Sequence, residues 1–352
     1  MCSDGRGDSD GFPRAPWIVF DCEAEAAWQW HNHLESQVEV GKKLLRINLD
    51  ETALCLCQDD QKGNVFLTKG HNAMQKASLA ARRAYVTHVA LVCDDATVQQ
   101  SLPQIVICNE RTLPQKLHAA LQASLGENFV LLRCASAWVN TDVMVEIVRL
   151  LAAALESYVK TFQPLLMLDA YRAHIGVRIF HAGTRHNIWV LVVPAGMTWL
   201  LQVLDTHVFK AYKACLRNAY QLLCVQTGLE THSLALLLDA VREATAVVIN
   251  TEGWADAFTK NGFGQSQSQV RPRVLKALGI SAAPAVPHTR PTEAQVRSCL
   301  PRKAKLFYKA IWQGVDHIAL CLDRSKICVA HATRRCHEGP VAHELEHGPS
   351  FR

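Results

Sequence analysis

Three aspartates stand where a chain can do metal chemistry. Residues 46–50 read RINLD and end on Asp50; residues 165–169 read LLMLD and end on Asp169. An apolar strand tolerates a carboxylate only at an edge that water or a metal reaches, and functional groups of α/β sheets gather at strand ends. Asp205 opens a helix after the next apolar run, where free N–H groups favour a negative charge. Three converging carboxylates without a cation would repel and raise one another's pKa. Mg²⁺ or Mn²⁺ removes that conflict, because hard cations take oxygen ligands. Two such ions roughly 3.5–4 Å apart can activate a water or hydroxyl and stabilise the leaving oxygen of a phosphodiester. A lone strand-end Asp is more often a turn or cap residue, so the elements between the acids have to be consistent with convergence.

Those elements follow from periodicity. Residues 17–40 carry Trp, Glu and His at loose helical spacing and predict a short helix. Lys43 to Cys57 is β-rich, with Leu45, Ile47 and Leu49 alternating onto one side. Gly63 to Thr68 reads as a hairpin return, and Tyr85 to Cys93 and Gln104 to Asn109 as further strands. Asn140 caps a helix expected to run to about Val159. Leu165 to Leu168 and Ile188 to Val193 are all-apolar runs suited to parallel strands covered on both faces. The segment between Asp169 and Asp205 is long enough for one helix, one strand and two turns, returning the chain to the same sheet edge. After Asp205, Val208, Phe209, Tyr212, Leu216, Ala219 and Leu223 form an apolar helical stripe, with Lys210, Lys213 and Arg217 on another face. Residues 233–280 read as helical, closing at Gly279; 281–301, rich in Pro, read as a linker.

Composition bounds the class. The 352 residues are 49% apolar and 20% charged, which suits a folded chain with a large core and argues against bulk disorder. A net charge of +5 permits a polyanionic partner without demanding one. The 13 cysteines are irregularly spaced and follow a polar start, so reduced thiols are expected. The most apolar stretch, 188–204, is broken by Pro194 and Gly196 and is too short to span a bilayer, so no membrane partner is expected.

Local words sharpen the reading. INLDETAL (47–54), LLMLDAYRAH (165–174) and VPAGMTWLLQVLDTHVFKAYK (193–213) resemble, in order, the three acidic motifs of pogo-like DDE transposases of the mariner superfamily. Trp138 with Asn140-Thr141, VTHVALVCDD (86–95) and GWADAFTKNGFG (253–264) resemble further blocks of that family, so the likeness spans about residues 40–265. Ala170 and Arg172 replace the usual Asn and Pro of the second motif, and Val203 the usual Pro of the third; Asp94-Asp95 replaces a usual small-residue turn. The resemblance implies an α/β, RNase H-like fold: a mixed five-stranded sheet flanked by helices, with a helical C-terminal extension. The domains it suggests are a tail and short helix (1–39), the endonuclease core (40–228), the extension (229–280) and a basic, flexible tail (281–352). It implies two Mg²⁺ or Mn²⁺ ions on Asp50, Asp169 and Asp205, DNA partners (transposon ends and target), a homodimer and a nuclear location. The activity implied is DNA strand cleavage and transfer; the alternative is a catalytically inactive, transposase-derived nucleic-acid-binding protein.

Five further residues are candidate DNA contacts. His174, five positions after Asp169, could meet scissile phosphate or a metal-bound water, or could simply cap the crossover helix. Gln202 could order the third-motif loop or face solvent. Lys210, Lys213 and Arg217 could contact phosphates, although such a stripe is more often a solvated helix face. His343-Glu344-Leu345-Glu346-His347 matches a zinc-protease pattern, and Cys328, His331, Cys336 and His337 could bind zinc. Pro340 and Gly348-Pro349 leave the first too little helix, and the spacing of the second fits no standard finger.

Overall fold

A computed structural model describes residues 18–55, 85–227, 233–251, 253–264 and 269–298. The chain opens with α1 (Ile18–Ser36). Ala24, Ala27, Trp28, His31 and Leu34 recur at helical spacing and are almost wholly buried. The segment expected as a short helix is therefore a core element of 19 residues.

Six strands follow: β1 (Lys43–Cys55), β2 (Tyr85–Cys93), β3 (Gln104–Asn109), β4 (Phe129–Cys134), β5 (Phe162–Leu168) and β6 (Trp189–Val192). The sheet order is β4-β3-β2-β1-β5-β6. β2 is antiparallel to both neighbours, while β1/β5, β5/β6 and β3/β4 are parallel. Every strand but β2 thus runs the same way, so the C-terminal ends of β1, β3, β4, β5 and β6 share one edge. An antiparallel β1-β2-β3 run continued by parallel β5 and β6 is the RNase H-like arrangement. The sheet has six strands where five were expected. The added strand, β4, lies outermost, and only part of it is buried. Six residues half-covered on one face give a weak alternation, which is why the pattern missed them. The expected return strand at 63–68 lies outside the described residues.

β1 has two faces of different character. Leu45, Ile47 and Leu49 are fully buried on one; Arg46, Asn48, Asp50 and Thr52 alternate onto the other. Arg46 fastens the sheet to α1: its guanidinium donates to His31 Nε2 (2.8 Å), Asp94 Oδ2 (2.8 Å) and Glu35 Oε1 (2.5 Å). The acid pair at 94–95 has work to do here, since Asp95 also caps α2 (Ala96–Gln99) through the N–H groups of Thr97 and Val98.

α3 (Gln115–Leu125) leads into β4, and α4 (Thr141–Ala154) follows it, capped by Asn140, whose side chain accepts from Val143 N at 3.0 Å. α4 stops at Ala154 and a 3₁₀ turn at Glu156–Tyr158 completes the expected length. α5 (Val177–Arg185) crosses from β5 to β6. Then come α6 (Thr198–Leu201), a π-helical turn (Leu204–Val208) and α7 (Phe209–Thr227). Tyr212 of α7 meets His88 of β2 at 2.7 Å inside the core. The extension supplies α8 (Leu234–Ala244), a second π turn (Thr245–Ile249), α9 (Ala255–Lys260) and α10 (Pro272–Leu278), which closes at Gly279 with φ +73°.

Residues 281–298 do not read as the expected linker. Val286 and Val296 are buried, α11 (Glu293–Ser298) lies on α1, and Gln295 Nε2 donates to Gln29 Oε1 at 2.7 Å. Proline blocks helix and ladder bonds but not side-chain burial, and two apolar anchors suffice to dock the segment. The 343–347 and 328–337 motifs lie outside the described residues. Among the described residues, Cys93, Cys108, Cys134, Cys215 and Cys224 are unbonded thiols, and no helix is long and apolar enough to cross a membrane.

Candidate active site

The three aspartates come from three elements that meet at the C-terminal strand edge. Register places Asn48 beside Met167, so Asp50 and Asp169 lie level two residues further along adjacent parallel strands. The third acid is brought in by Asn48, which is almost fully buried on the same face of β1 as Asp50. Its Oδ1 accepts from Leu204 N at 2.8 Å, and its Nδ2 donates to Met167 O at 3.1 Å. One amide therefore ties β1, β5 and the turn that carries Asp205. Gln202 adds a second tie, donating from Nε2 to Leu49 O at 3.3 Å. Asp205 thus lies over the face on which Asp50 stands, not across the sheet from it.

The π-helical turn has its own anchor. Thr206 Oγ1 donates to Gln202 O at 2.6 Å and accepts from Asn261 Nδ2 at 2.9 Å. Asn261, fully buried, also donates to Leu201 O (3.0 Å) and accepts Trp28 Nε1–H on its carbonyl (3.1 Å). The next residue, Gly262, has φ +90°, and a Cβ there would lie 2.2 Å from the Trp28 indole nitrogen. The helix α1 and the extension therefore hold the third acid from behind, a role no local pattern announced.

Burial and mutual repulsion of the acids dominate the electrostatics, with Lys213 near Asp205 and His174 on Asp169 as partial counter-charges. Burial raises the pKa of Asp50 well above the usual carboxylate range, and the charges of Asp205, Glu51 and Asp169 raise it further; the Glu51 N–H bond (2.8 Å) opposes them. Asp205 is exposed, yet partial desolvation of its carboxyl and the charge of Asp169 raise its pKa, against Lys213 and the Thr198 hydroxyl, which lower it. The donors are all carboxylate oxygens, and the group most penalised for being charged is the one at the centre. That fits a hard divalent cation. Among the described residues, no three His, Cys, Asp or Glu stand close enough together to hold a metal ion as they are. Oδ1 of Asp50 is taken by Glu51 N, and Oδ1 of Asp169 by Tyr171 N (3.0 Å) and His174 Nδ1, so ligation would draw on the second oxygens.

His174 is the least expected member. Its side chain is fully buried, with Nδ1 on Asp169 and Nε2 2.7 Å from Glu51 Oε1. Burial alone would lower its pKa; the two carboxylates overcome that and raise it to about 10. The phosphate contact expected of His174 has no exposed nitrogen to make it. Gln202 is likewise buried, not facing solvent, and its amide nitrogen donates to Leu49 O of β1. Of the basic stripe, Lys210 and Lys213 are exposed and Arg217 is half-buried. Lys213 is more than a solvated cation: it acts on Asp205 and sits 5.5 Å over the Phe209 ring. Glu51, Asn48, Thr206 and Asn261 escaped the sequence reading. The signal available for Asn48 was its place in the polar alternation of β1 with Arg46 and Asp50, and for Glu51 its place beside Asp50.

Residues 86–259 match the family described as DDE superfamily endonuclease. The matched span includes Asp169 and Asp205 and begins after Asp50, which the β1 register and the Asn48 bond join to them. None of the curated proteins is similar enough to count as a relative. Among solved structures, the Mos1 transposase paired-end complex with left transposon end superposes with a TM-score of 0.36 at 12% identity, over 76% of this chain and 68% of that one. The Mos1 mariner paired-end complex with Mn gives 0.35 at 13% identity, over 74% and 67%. A pre-cleavage Mos1 transpososome gives 0.35 at 11%, over the same shares.

Proposed function

We propose that this chain is a DDE-type, metal-dependent DNA endonuclease and strand transferase of the transposase kind, with Asp50, Asp169 and Asp205 as its metal ligands. The observation that carries the reading is the mutual charge of three acids delivered from β1, from the end of β5 and from the π-helical turn to one sheet edge. Bound Mg²⁺ or Mn²⁺ supplies Lewis acidity for in-line displacement at a phosphodiester. Burial and the neighbouring acids disfavour the charged form of Asp50, and a cation bound there would favour it. Asp205, exposed at the mouth, presents the third carboxylate beside Lys213, which with Lys210 and Arg217 offers positive charge to a DNA backbone. Water attacks phosphorus, the bond to the 3′ oxygen breaks, and that oxygen leaves with a proton as a free 3′-hydroxyl opposite a 5′-phosphate. The 3′-hydroxyl repeats the displacement on a second DNA, exchanging one phosphodiester for another. Two transposon ends, a homodimer and a nuclear site of action are parts of the same proposal.

The test is a plasmid-nicking assay with Mn²⁺, comparing wild type with Asp169→Asn. Nicking by wild type that the variant abolishes supports the reading. Equal nicking by both, or none by either, removes it and leaves a nucleic-acid-binding descendant of a transposase.

A further inference from the structure

The acid edge contains a fourth carboxylate that the three-aspartate reading does not use. Glu51 follows Asp50 in β1 and by strand alternation points to the other face. There its Oε1 meets His174 Nε2 at 2.7 Å, while Nδ1 of the same ring binds Asp169 Oδ1. Both ring nitrogens are thereby engaged, and the imidazole has none left for substrate. Neither can it turn aside. Its side chain is fully enclosed, Ala173 and Ile175 beside it are buried, and Tyr171 packs edge-on at 5.6 Å and 74°. The loop closes on itself through His174 N to Tyr171 O (2.9 Å) and Tyr171 N to Asp169 Oδ1 (3.0 Å).

Resting on the reading of the three aspartates as ligands, we propose that Glu51 and His174 form a positioning relay for Asp169. Glu51 fixes the ring and the ring fixes one oxygen of Asp169. The second oxygen is then committed to the cation that Asp50 and Asp205 share. Glu51 is on this account a positioning residue and not a fourth ligand. Carboxylate–histidine pairs behind a ligand set orientation and basicity, and their loss typically costs about 10–100-fold in metal affinity.

The experiment is a titration of the metal-free chain with MnCl₂, reading free Mn²⁺ by electron paramagnetic resonance, with thermal melts to confirm folding. Glu51 is partly exposed, so its substitution tests the relay without opening the core. Glu51→Ala is expected to weaken Mn²⁺ binding about 10–100-fold. Glu51→Gln, which keeps an acceptor for Nε2, recovers most of that loss. In a His174→Gln background, Glu51→Ala changes little further. Unaltered affinity in Glu51→Ala overturns the relay. So does a Gln variant as weak as the Ala one whose loss persists without His174, because that pattern belongs to a direct ligand. Asp169→Asn in the same titration separates the two levels: if it binds Mn²⁺ like wild type, the ligand reading itself has failed.

Discussion

Asn48→Ala is the substitution that bears hardest on how the site is assembled. The side chain is 1% exposed and holds two backbone groups, Leu204 N and Met167 O. Truncation leaves a buried donor and a buried acceptor unmatched, each worth about 1–3 kcal/mol. A loss of about 2–5 kcal/mol follows, which for a domain of this size lowers the melting midpoint by roughly 4–10 °C. Stability alone would not separate a positioning role from ordinary packing, so a second measurement is needed. Leu204 adjoins Asp205, and releasing it should also weaken Mn²⁺ binding. Gln163→Ala is the matched control: that buried side chain donates to Asn187 O at 2.8 Å, at the opposite end of β5. It should lower the midpoint while leaving Mn²⁺ titration unchanged. If Asn48→Ala melts within a degree of wild type, or binds Mn²⁺ no worse than Gln163→Ala does, the tie between β1 and the third acid is not what places Asp205.

Other outcomes follow from the same geometry. Thr206→Val removes the hydroxyl between Gln202 and Asn261 and should weaken Mn²⁺ binding severalfold, with Thr206→Ser restoring it in the same titration. Gly262→Ala forces a methyl into the Trp28 indole at positive φ, and urea unfolding should register a loss of more than about 3 kcal/mol or no folded protein at all. His88 is wholly buried and its pKa is lowered by burial to about 4, so the unfolded chain binds the extra proton first as pH falls. Stability from this group is complete above pH 6.5 and lost toward pH 4, at most about 3 kcal/mol, and urea midpoints for His88→Asn should be flatter over that window. Deleting residues 281–298 should bare the face of α1 that Val286 and Val296 cover, and calorimetry should record a lower midpoint.

Much of this protein was decided locally. Strand words ending on Asp50 and Asp169, the Asn140 cap and the stripe along α7 are short-range patterns. The forces behind them, burial period and capping, act over a few residues and can be read in order along the chain. The edge strand β4 was lost because one half-covered face over six residues leaves too little alternation. The 281–298 segment was misjudged because its prolines speak to backbone bonding, whereas its docking depends on two valines and a glutamine finding α1, more than 250 positions earlier.

The amino-acid order by itself marked Asp50 and Asp169 at strand ends and Asp205 at a helix start as candidates for one sheet edge. Tertiary structure alone decided how each is held. Asn48 reaching Leu204, Asn261 reaching Thr206 and His174 joining Glu51 to Asp169 are contacts between residues 55 to 156 positions apart, or between neighbours on opposite sides of a strand end. A hydrogen bond depends on position within a few tenths of an ångström, and that precision exists only once the sheet, α1 and the C-terminal extension have packed together.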